Sequence, residues 1–158
     1  MKKLTALLLA VLLVFGLAAC AGSPAESNTK PGDTMTLQDI LTSITKDVAD
    51  LPDTETTELT KDNFEYFAFT AMPDGVEAIA ADALINAVAH SVVLMRAQDA
   101  ETAKQLAADV EANLNPAKWV CVEAEKTAVL VHNCTVLLVM SWSDVTDALT
   151  ANFNALWS

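Results

Sequence analysis

The spacing of apolar residues along the chain predicts three amphipathic helices. The first begins after Thr36, which can cap it, and ends at Pro52. The second opens at Asp99, and Ser141 or Ser143 caps a third near the C-terminus. The apolar faces are Leu37, Ile40, Leu41, Ile44, Val48 and Leu51, then Ala103, Leu106, Ala107, Val110 and Leu114, then Val145, Leu149, Phe153 and Leu156.

Runs of β-branched and aromatic residues predict five strands. These are residues 64–71, 91–97, 119–123, 127–131 and 135–140. The polar stretch 53–63 is predicted to be a loop, and residues 76–88 fit a short helix, a strand or an irregular crossing. The connections at 124–126 and 132–134 have the length of hairpin turns, and Asn133 suits a left-handed turn position.

The order of these elements favours an α+β domain with a mainly antiparallel sheet and helices packed on it in two layers. The runs 129–131 and 136–140 are continuously apolar, which is typical of strands covered on both faces. Either the segment 76–88 or the first helix is then expected to cover the second face.

The first twenty residues have the pattern of a bacterial lipoprotein signal. Lys2 and Lys3 precede an uncharged apolar run at 4–17, and Leu17-Ala18-Ala19-Cys20 matches a lipobox. We expect residues 1–19 to be a cleaved signal peptide and Cys20 to carry diacylglycerol, with acyl chains such as palmitate. The expected location is the extracytoplasmic face of the plasma membrane, and the expected membrane contact is this N-terminal lipid.

The domain boundaries follow from composition. Residues 20–35 comprise the lipidated cysteine and a small, polar, proline-broken flexible tether, and residues 36–158 are long enough for a single α+β domain. The full chain carries a formal charge of −12. Lys2 and Lys3 leave with the signal and no acidic residue does, so the charge of the mature chain becomes −14.

This strong negative charge argues against nucleic acid as a partner, because binding to nucleic acid depends on basic residues at phosphates. It also opposes adsorption to anionic lipid headgroups, so the body is expected to stand off the membrane. A cationic, neutral or apolar partner is favoured, either an envelope protein or a small molecule. The charge also keeps an exported domain soluble.

The residues that could carry catalysis are few. His90 precedes Ser91 without any nucleophile-elbow motif, which favours a local hydrogen-bonding role. A Cys/His pair of Cys121 or Cys134 with His132 would suit a hydrolase only if the thiol pKa were lowered. Cys121 and Cys134 could equally form a disulfide or be apolar core thiols. The chain is therefore predicted to be non-enzymatic.

No metal or cofactor is predicted, since the sequence lacks paired cysteine motifs, a calcium-loop pattern and a glycine-rich phosphate loop. If residues 64–71 form a strand, aromatic side chains occupy both of its faces. The candidate ligand surface is therefore Tyr66, Phe67, Phe69 and His90.

The lipobox, the helix from Thr36, the segment 89–96, the helix from Asp99, the segment 115–122 and the strand 136–141 resemble a family of small Gram-positive lipoproteins. It is known as domain-of-unknown-function family four-three-five-eight. The resemblance covers most of residues 36–157 and implies an extracytoplasmic domain with no assigned activity.

The favoured function is a non-catalytic, membrane-anchored binding or accessory domain at the cell envelope. Two alternatives remain open from the residues alone. One is the cell-envelope hydrolase using the Cys/His pair, and the other is a small-solute receptor for a transporter, for which the chain is short.

Overall fold

The computed structural model describes residues 29–158, and its centre is a five-stranded sheet. All neighbouring strands run antiparallel, in the order β1-β2-β3-β5-β4. The strands are β1 Thr54–Glu58, β2 Glu77–Ala83, β3 Ser91–Arg96, β4 Lys126–His132 and β5 Thr135–Ser141. The helices are α1 Pro31–Thr34, α2 Leu37–Thr45, α3 Phe64–Ala68, α4 Ala100–Asn113 and α5 Ser143–Ala155. The predicted α+β class and antiparallel sheet are confirmed.

Helices cover both faces of this sheet, so the molecule has three layers where two were predicted. On one face α3 and α4 pack against side chains that include Val93, Met95 and Leu138. On the other face α2 and α5 pack against Leu94 and Leu137. Strand β5 is buried along its whole length, as its continuous apolar run predicted. The same prediction is wrong for the run 129–131, because it lies in β4, an edge strand that is only partly buried. The first helix does cover the second face, with α5 beside it.

The aromatic segment predicted as a strand at 64–71 is instead the short helix α3. Phe64 and Ala68 are fully buried and lie four residues apart, which places both on one helical face. Phe69 ends the helix in a left-handed conformation with φ of 61°. A short apolar run fits both the 3.6-residue period of a helix and the two-residue period of a strand. Here packing against the sheet favours the helix.

Two further predictions are wrong: one predicted strand is absent, and one predicted loop contains a strand. Residues 119–123 form no strand, and Val120 there is 93% exposed. The predicted hairpin at 124–126 is consequently absent. Conversely, the predicted loop 53–63 contains β1, a polar edge strand whose exposed charges discourage further pairing. The undecided segment 76–88 contains β2, where small alanines fit between layers.

Helix ends were predicted with mixed success. Thr36 and Asp99 cap α2 and α4, each accepting a hydrogen bond from the backbone N–H three residues on. Helix α2 ends at Thr45, well before Pro52. Neither predicted serine caps α5, whose cap position is Trp142.

The C-terminal part of the predicted tether is folded onto the body as α1. Gly32 is buried so closely against Trp157 that an added Cβ would lie 2.3 Å from the indole ring. Asp33 Oδ1 accepts hydrogen bonds from Trp157 Nε1 at 2.8 Å and from Asn133 Nδ2 at 2.7 Å. Arg96 donates to the carbonyls of Met35 and Gly32. The folded body therefore includes residues upstream of the predicted boundary at 36.

The predicted signal peptide 1–19, the predicted lipidation site Cys20 and the part of the predicted tether up to residue 28 lie outside the described residues. Within residues 29–158, no helix is both long and apolar enough to cross a membrane.

Candidate functional site

The sheet has two chemically different ends. We call the end at Arg96 and Thr135 the attachment end, because α1, the first helix of the described residues, docks there. The opposite end, at Asp82, Ser91 and Ser141, is the far end. The six residues of β3 separate the two ends by about 17 Å.

An ammonium group is buried at the far end. Lys118 belongs to the irregular segment 114–125, yet its side chain is only 4% exposed. Its Nζ lies 2.9 Å from Asp82 Oδ2 and donates to Ser91 Oγ at 3.0 Å. Asp82 and Ser91 face each other across the β2–β3 ladder, so the sheet register sets these two acceptors side by side.

Three aromatic rings surround the same ammonium. Its Nζ lies 5.3 Å from the ring centre of Tyr66 and 5.1 Å from those of Phe67 and Trp119. Cations within about 6 Å of a ring face are attracted by its quadrupole. Helix α3 supplies the first two rings, so the helix that replaced the predicted strand builds part of this cage.

A second buried polar pair lies beside the first. His90 is 1% exposed, and its Nδ1 is 2.8 Å from the buried Ser141 Oγ. His90 Nε2 and Asp82 Oδ1 are buried without a hydrogen-bond partner in the structure. Such unmet groups cost free energy that surrounding packing must offset.

Burial dominates the electrostatics of this cluster. It lowers the pKa of His90 to about 4, an effect that Asp82 opposes and Lys118 reinforces. It also lowers the pKa of Lys118, although the Asp82 carboxylate works in the other direction. The ring of His90 is therefore neutral at pH 7.

The geometry gives little support to nucleophilic catalysis here. Ser91 is fully buried, and its hydroxyl accepts a hydrogen bond from an ammonium already paired with Asp82. A serine nucleophile needs a base that takes its proton and a space for the substrate. Three surface clefts at other places in the described residues are lined by neither Ser91, His90 nor Lys118.

The predicted Cys/His pair is not assembled around Cys121. Cys121 is a free, exposed cysteine in the 114–125 segment, so it forms no disulfide with Cys134 and is not a core thiol. His132 ends β4 at the attachment end, where its ring stacks on Trp157 at 4.9 Å. His132 Nε2 also hydrogen-bonds Asn154 Oδ1 at 2.8 Å.

The candidate ligand surface is divided by the structure. Tyr66 is 61% exposed, whereas Phe67 and Phe69 are partly buried against the core and His90 is buried within the domain. Only Tyr66 among the four is thus a surface residue. His90 and Tyr66 nevertheless belong to the same neighbourhood, because each interacts with Lys118.

Exposed apolar side chains gather at the far end. In the described part of the chain, the exposed large hydrophobic residues are Tyr66, Leu84, Ile85 and Val120. Leu84 and Ile85 directly follow β2, while Val120 lies two residues after Lys118. All four are therefore on segments that meet at the Asp82–Lys118 ion pair. Grouped exposed apolar residues are typical of interaction surfaces.

The far end also carries exposed negative charge. Glu65 and Glu123 are exposed beside the apolar residues, and a cleft of about 650 Å³ on the α2–α5 side is lined by carboxylates and an indole. The relevant side chains of this cleft are Asp50, Glu125, Asp144 and Trp142. The two lysines at this end, Lys118 and Lys126, are each paired with a carboxylate.

No metal centre is formed by these acids. Within residues 29–158, no group of three or more His, Cys, Asp and Glu side chains is placed to hold a metal ion.

Comparisons with protein-family models, with curated proteins and with solved structures found no match to this chain. The resemblance to the small lipoprotein family stays a prediction.

Sequence reasoning missed the centre of the site. Lys118 and Asp82 are 36 residues apart, and neither belongs to a motif with a recognised chemical role. The one available signal was a lone lysine beside a tryptophan in an apolar stretch of an acidic chain.

Proposed function

We propose that this protein is a lipid-anchored, non-catalytic binding domain on the extracytoplasmic face of the plasma membrane. Its far end is the surface offered to a partner, and the membrane is reached through a lipid on Cys20. One observation carries the proposal: the segments that bear the exposed apolar residues lie at the end of the sheet opposite to the end where α1 docks.

The chemistry of the far end supports a protein partner with basic and apolar residues. The exposed apolar side chains are flanked by Glu65 and Glu123, while the lysines at this end are paired with carboxylates. Complementary charge speeds association and selects partners. An anionic partner such as nucleic acid or the lipid headgroup surface is disfavoured by the same charge.

The anchor is tested by Cys20→Ala. The expected result is transfer of the protein from the membrane to the soluble fraction, because the lipid is the proposed attachment. Thermal unfolding of the released protein is expected to match that of the wild-type body. A variant that stays in the membrane fraction to the same extent would contradict lipid anchoring.

The surface is tested by site-specific photo-crosslinking in intact cells. A photoreactive residue at Ile85, on the far end, is compared with one at exposed Gln98, on the attachment end. We expect a discrete adduct from position 85 alone, and we expect Glu123→Lys to diminish it. Equal adducts from both positions, or none from position 85, would refute a specific far-end surface.

A further inference from the structure

We propose that Asp82, Ser91 and the neighbouring aromatic rings form a primary-ammonium site, which Lys118 fills in this structure and which a lysine side chain of a protein partner can take over. This inference rests on the proposed function for the identity of the partner. The site itself is argued from the geometry around Lys118.

The site is built for an ammonium that can donate hydrogen bonds. Two acceptors, Asp82 Oδ2 and Ser91 Oγ, lie at 2.9 and 3.0 Å from Nζ, and three ring faces lie within 5.3 Å. A primary ammonium satisfies both acceptors and contacts the rings as well. A quaternary ammonium has no N–H and would leave both acceptors unmet.

The site also has an acceptor that Lys118 leaves unused. Asp82 Oδ1 is buried and has no hydrogen-bond partner in the structure. A buried carboxylate oxygen without a donor is unfavourable. An ammonium entering from a different direction could engage both carboxylate oxygens, so Lys118 is not the best conceivable occupant.

Lys118 is carried by a segment that is suited to release. Residues 114–125 form neither helix nor strand, and hydrogen bonds such as Ala124 N–H to the Pro116 carbonyl close the segment on itself. The segment meets the body through Lys118, through packing of Leu114, Trp119 and Ala124, and through a hydrogen bond from the Ser143 N–H to the Glu125 carboxylate. Residues 115–125 make no backbone–backbone hydrogen bond to the rest of the described chain, so this stretch opens at lower cost than the strands of the sheet.

The surroundings specify a lysine with apolar neighbours. Tyr66, Leu84, Ile85 and Val120 are exposed on the segments that meet at the site. An incoming lysine would exchange one ammonium for another, so the partly buried carboxylate of Asp82 has a counter-charge both before and after the exchange. Flanking apolar residues of the partner would cover the exposed side chains.

The site is tested by chemical rescue of Lys118→Ala. This change removes the ammonium and leaves room for a small one. With n-butylammonium at about ten times its dissociation constant, we expect the Tm to rise by about 3 °C or more. Tetramethylammonium at equal ionic strength should give less than half of that rise. The double variant Lys118→Ala/Asp82→Asn should lose the difference between the two cations.

Lys118→Met is the matched control. Its side chain fills the same space without a charge, so n-butylammonium should raise its Tm no more than tetramethylammonium does. Equal effects of the two cations on Lys118→Ala, or no effect of either, would overturn the ammonium site.

Displacement of the Lys118 ammonium is tested in the wild-type protein. This experiment remains possible if Lys118→Ala does not fold. Amide hydrogen exchange of residues 114–125 is measured with n-butylammonium chloride and with tetramethylammonium chloride. Displacement of Lys118 predicts exchange about twofold faster or more with the first salt alone. Identical exchange in both salts would overturn displacement of Lys118.

These outcomes are separable from those of the proposed function. The rescue and exchange experiments use purified protein without a partner, and crosslinking uses intact cells. If the rescue and exchange experiments fail while crosslinking succeeds, the far end is an interaction surface that does not recognise ammonium.

Discussion

His90 and Lys118 are both buried beside Asp82, but burial affects them differently. Lys118 has a carboxylate and a hydroxyl as partners, so its charge is compensated. His90 has Ser141 on one ring nitrogen and nothing on the other, and burial lowers its pKa to about 4. The neutral ring is thus part of the folded state.

A dependence of stability on pH follows from His90. The unfolded chain binds a proton on this ring near pH 6.5, while the folded protein does so near pH 4. Between these values the unfolded state holds more protons, so stability is complete above pH 6.5 and falls as the pH drops toward 4. The loss from this group is up to about 3 kcal/mol.

Urea unfolding at pH 7 and pH 4.5 measures this contribution. His90→Gln is expected to reduce the difference in unfolding free energy between the two pH values, because the glutamine does not titrate. Gln98→Ala, a change at an exposed residue that does not titrate, serves as the control and should keep the wild-type difference. An unchanged difference in His90→Gln would show that the buried ring is not responsible.

Among the helices and strands, the prediction from sequence agreed with the structure where the element was long and carried a local capping residue. Helices α2 and α4 have long periodic faces and polar caps at Thr36 and Asp99, so their N-terminal ends were predicted correctly. Helix α3 has five residues, and its spacing fits both periods. Strand β1 is polar because it is an edge strand, and only its pairing with β2 identifies it.

Helix α1 is held by tertiary contacts. Its four residues are too few to be helical alone, and Pro31 only preorganises the first turn. Hydrogen bonds from Asn133, Trp157 and the backbone N–H of Lys30 outweigh partial burial and lower the pKa of Asp33. The element therefore exists because the body provides its partners.

Gly32→Ala is expected to loosen α1 from the body. The new Cβ would overlap the Trp157 ring, and overpacking of this kind costs about 1–3 kcal/mol. Urea unfolding monitored by tryptophan fluorescence gives the free energy. Thr34→Ala, at an exposed position in the same helix, should change it by less than about 0.5 kcal/mol. Equal effects of both variants would argue against close docking of Gly32.

At the scale of the whole molecule, the attachment end and the far end give the domain a direction. Helix α1 docks at the attachment end, and the exposed apolar residues are about 17 Å away along β3. A protein held by lipid on Cys20 would then present the far end away from the bilayer. The negative charge of the chain acts in the same direction, because it repels anionic headgroups.

This orientation can be measured on vesicles with lipidated protein. A fluorescent non-canonical amino acid at exposed position 121, three residues after Lys118, is compared with the same residue at exposed position 98. Quenching by nitroxide lipids should be stronger at position 98, which lies on the attachment end. Stronger quenching at position 121 would mean that the far end faces the membrane.

The sequence by itself determined the class of fold, the three long helices and the central strands, since long periodic runs of apolar residues carry that information locally. It also supplied the lipobox at Cys20, on which the proposed location rests. Only the tertiary structure decided that α5 shares the second face of the sheet with α2, that α1 is part of the body and that β1 is a strand. It alone brought Lys118 to Asp82 and Ser91. The physical reason is that these features depend on contacts between residues far apart in the chain, and no local pattern records them.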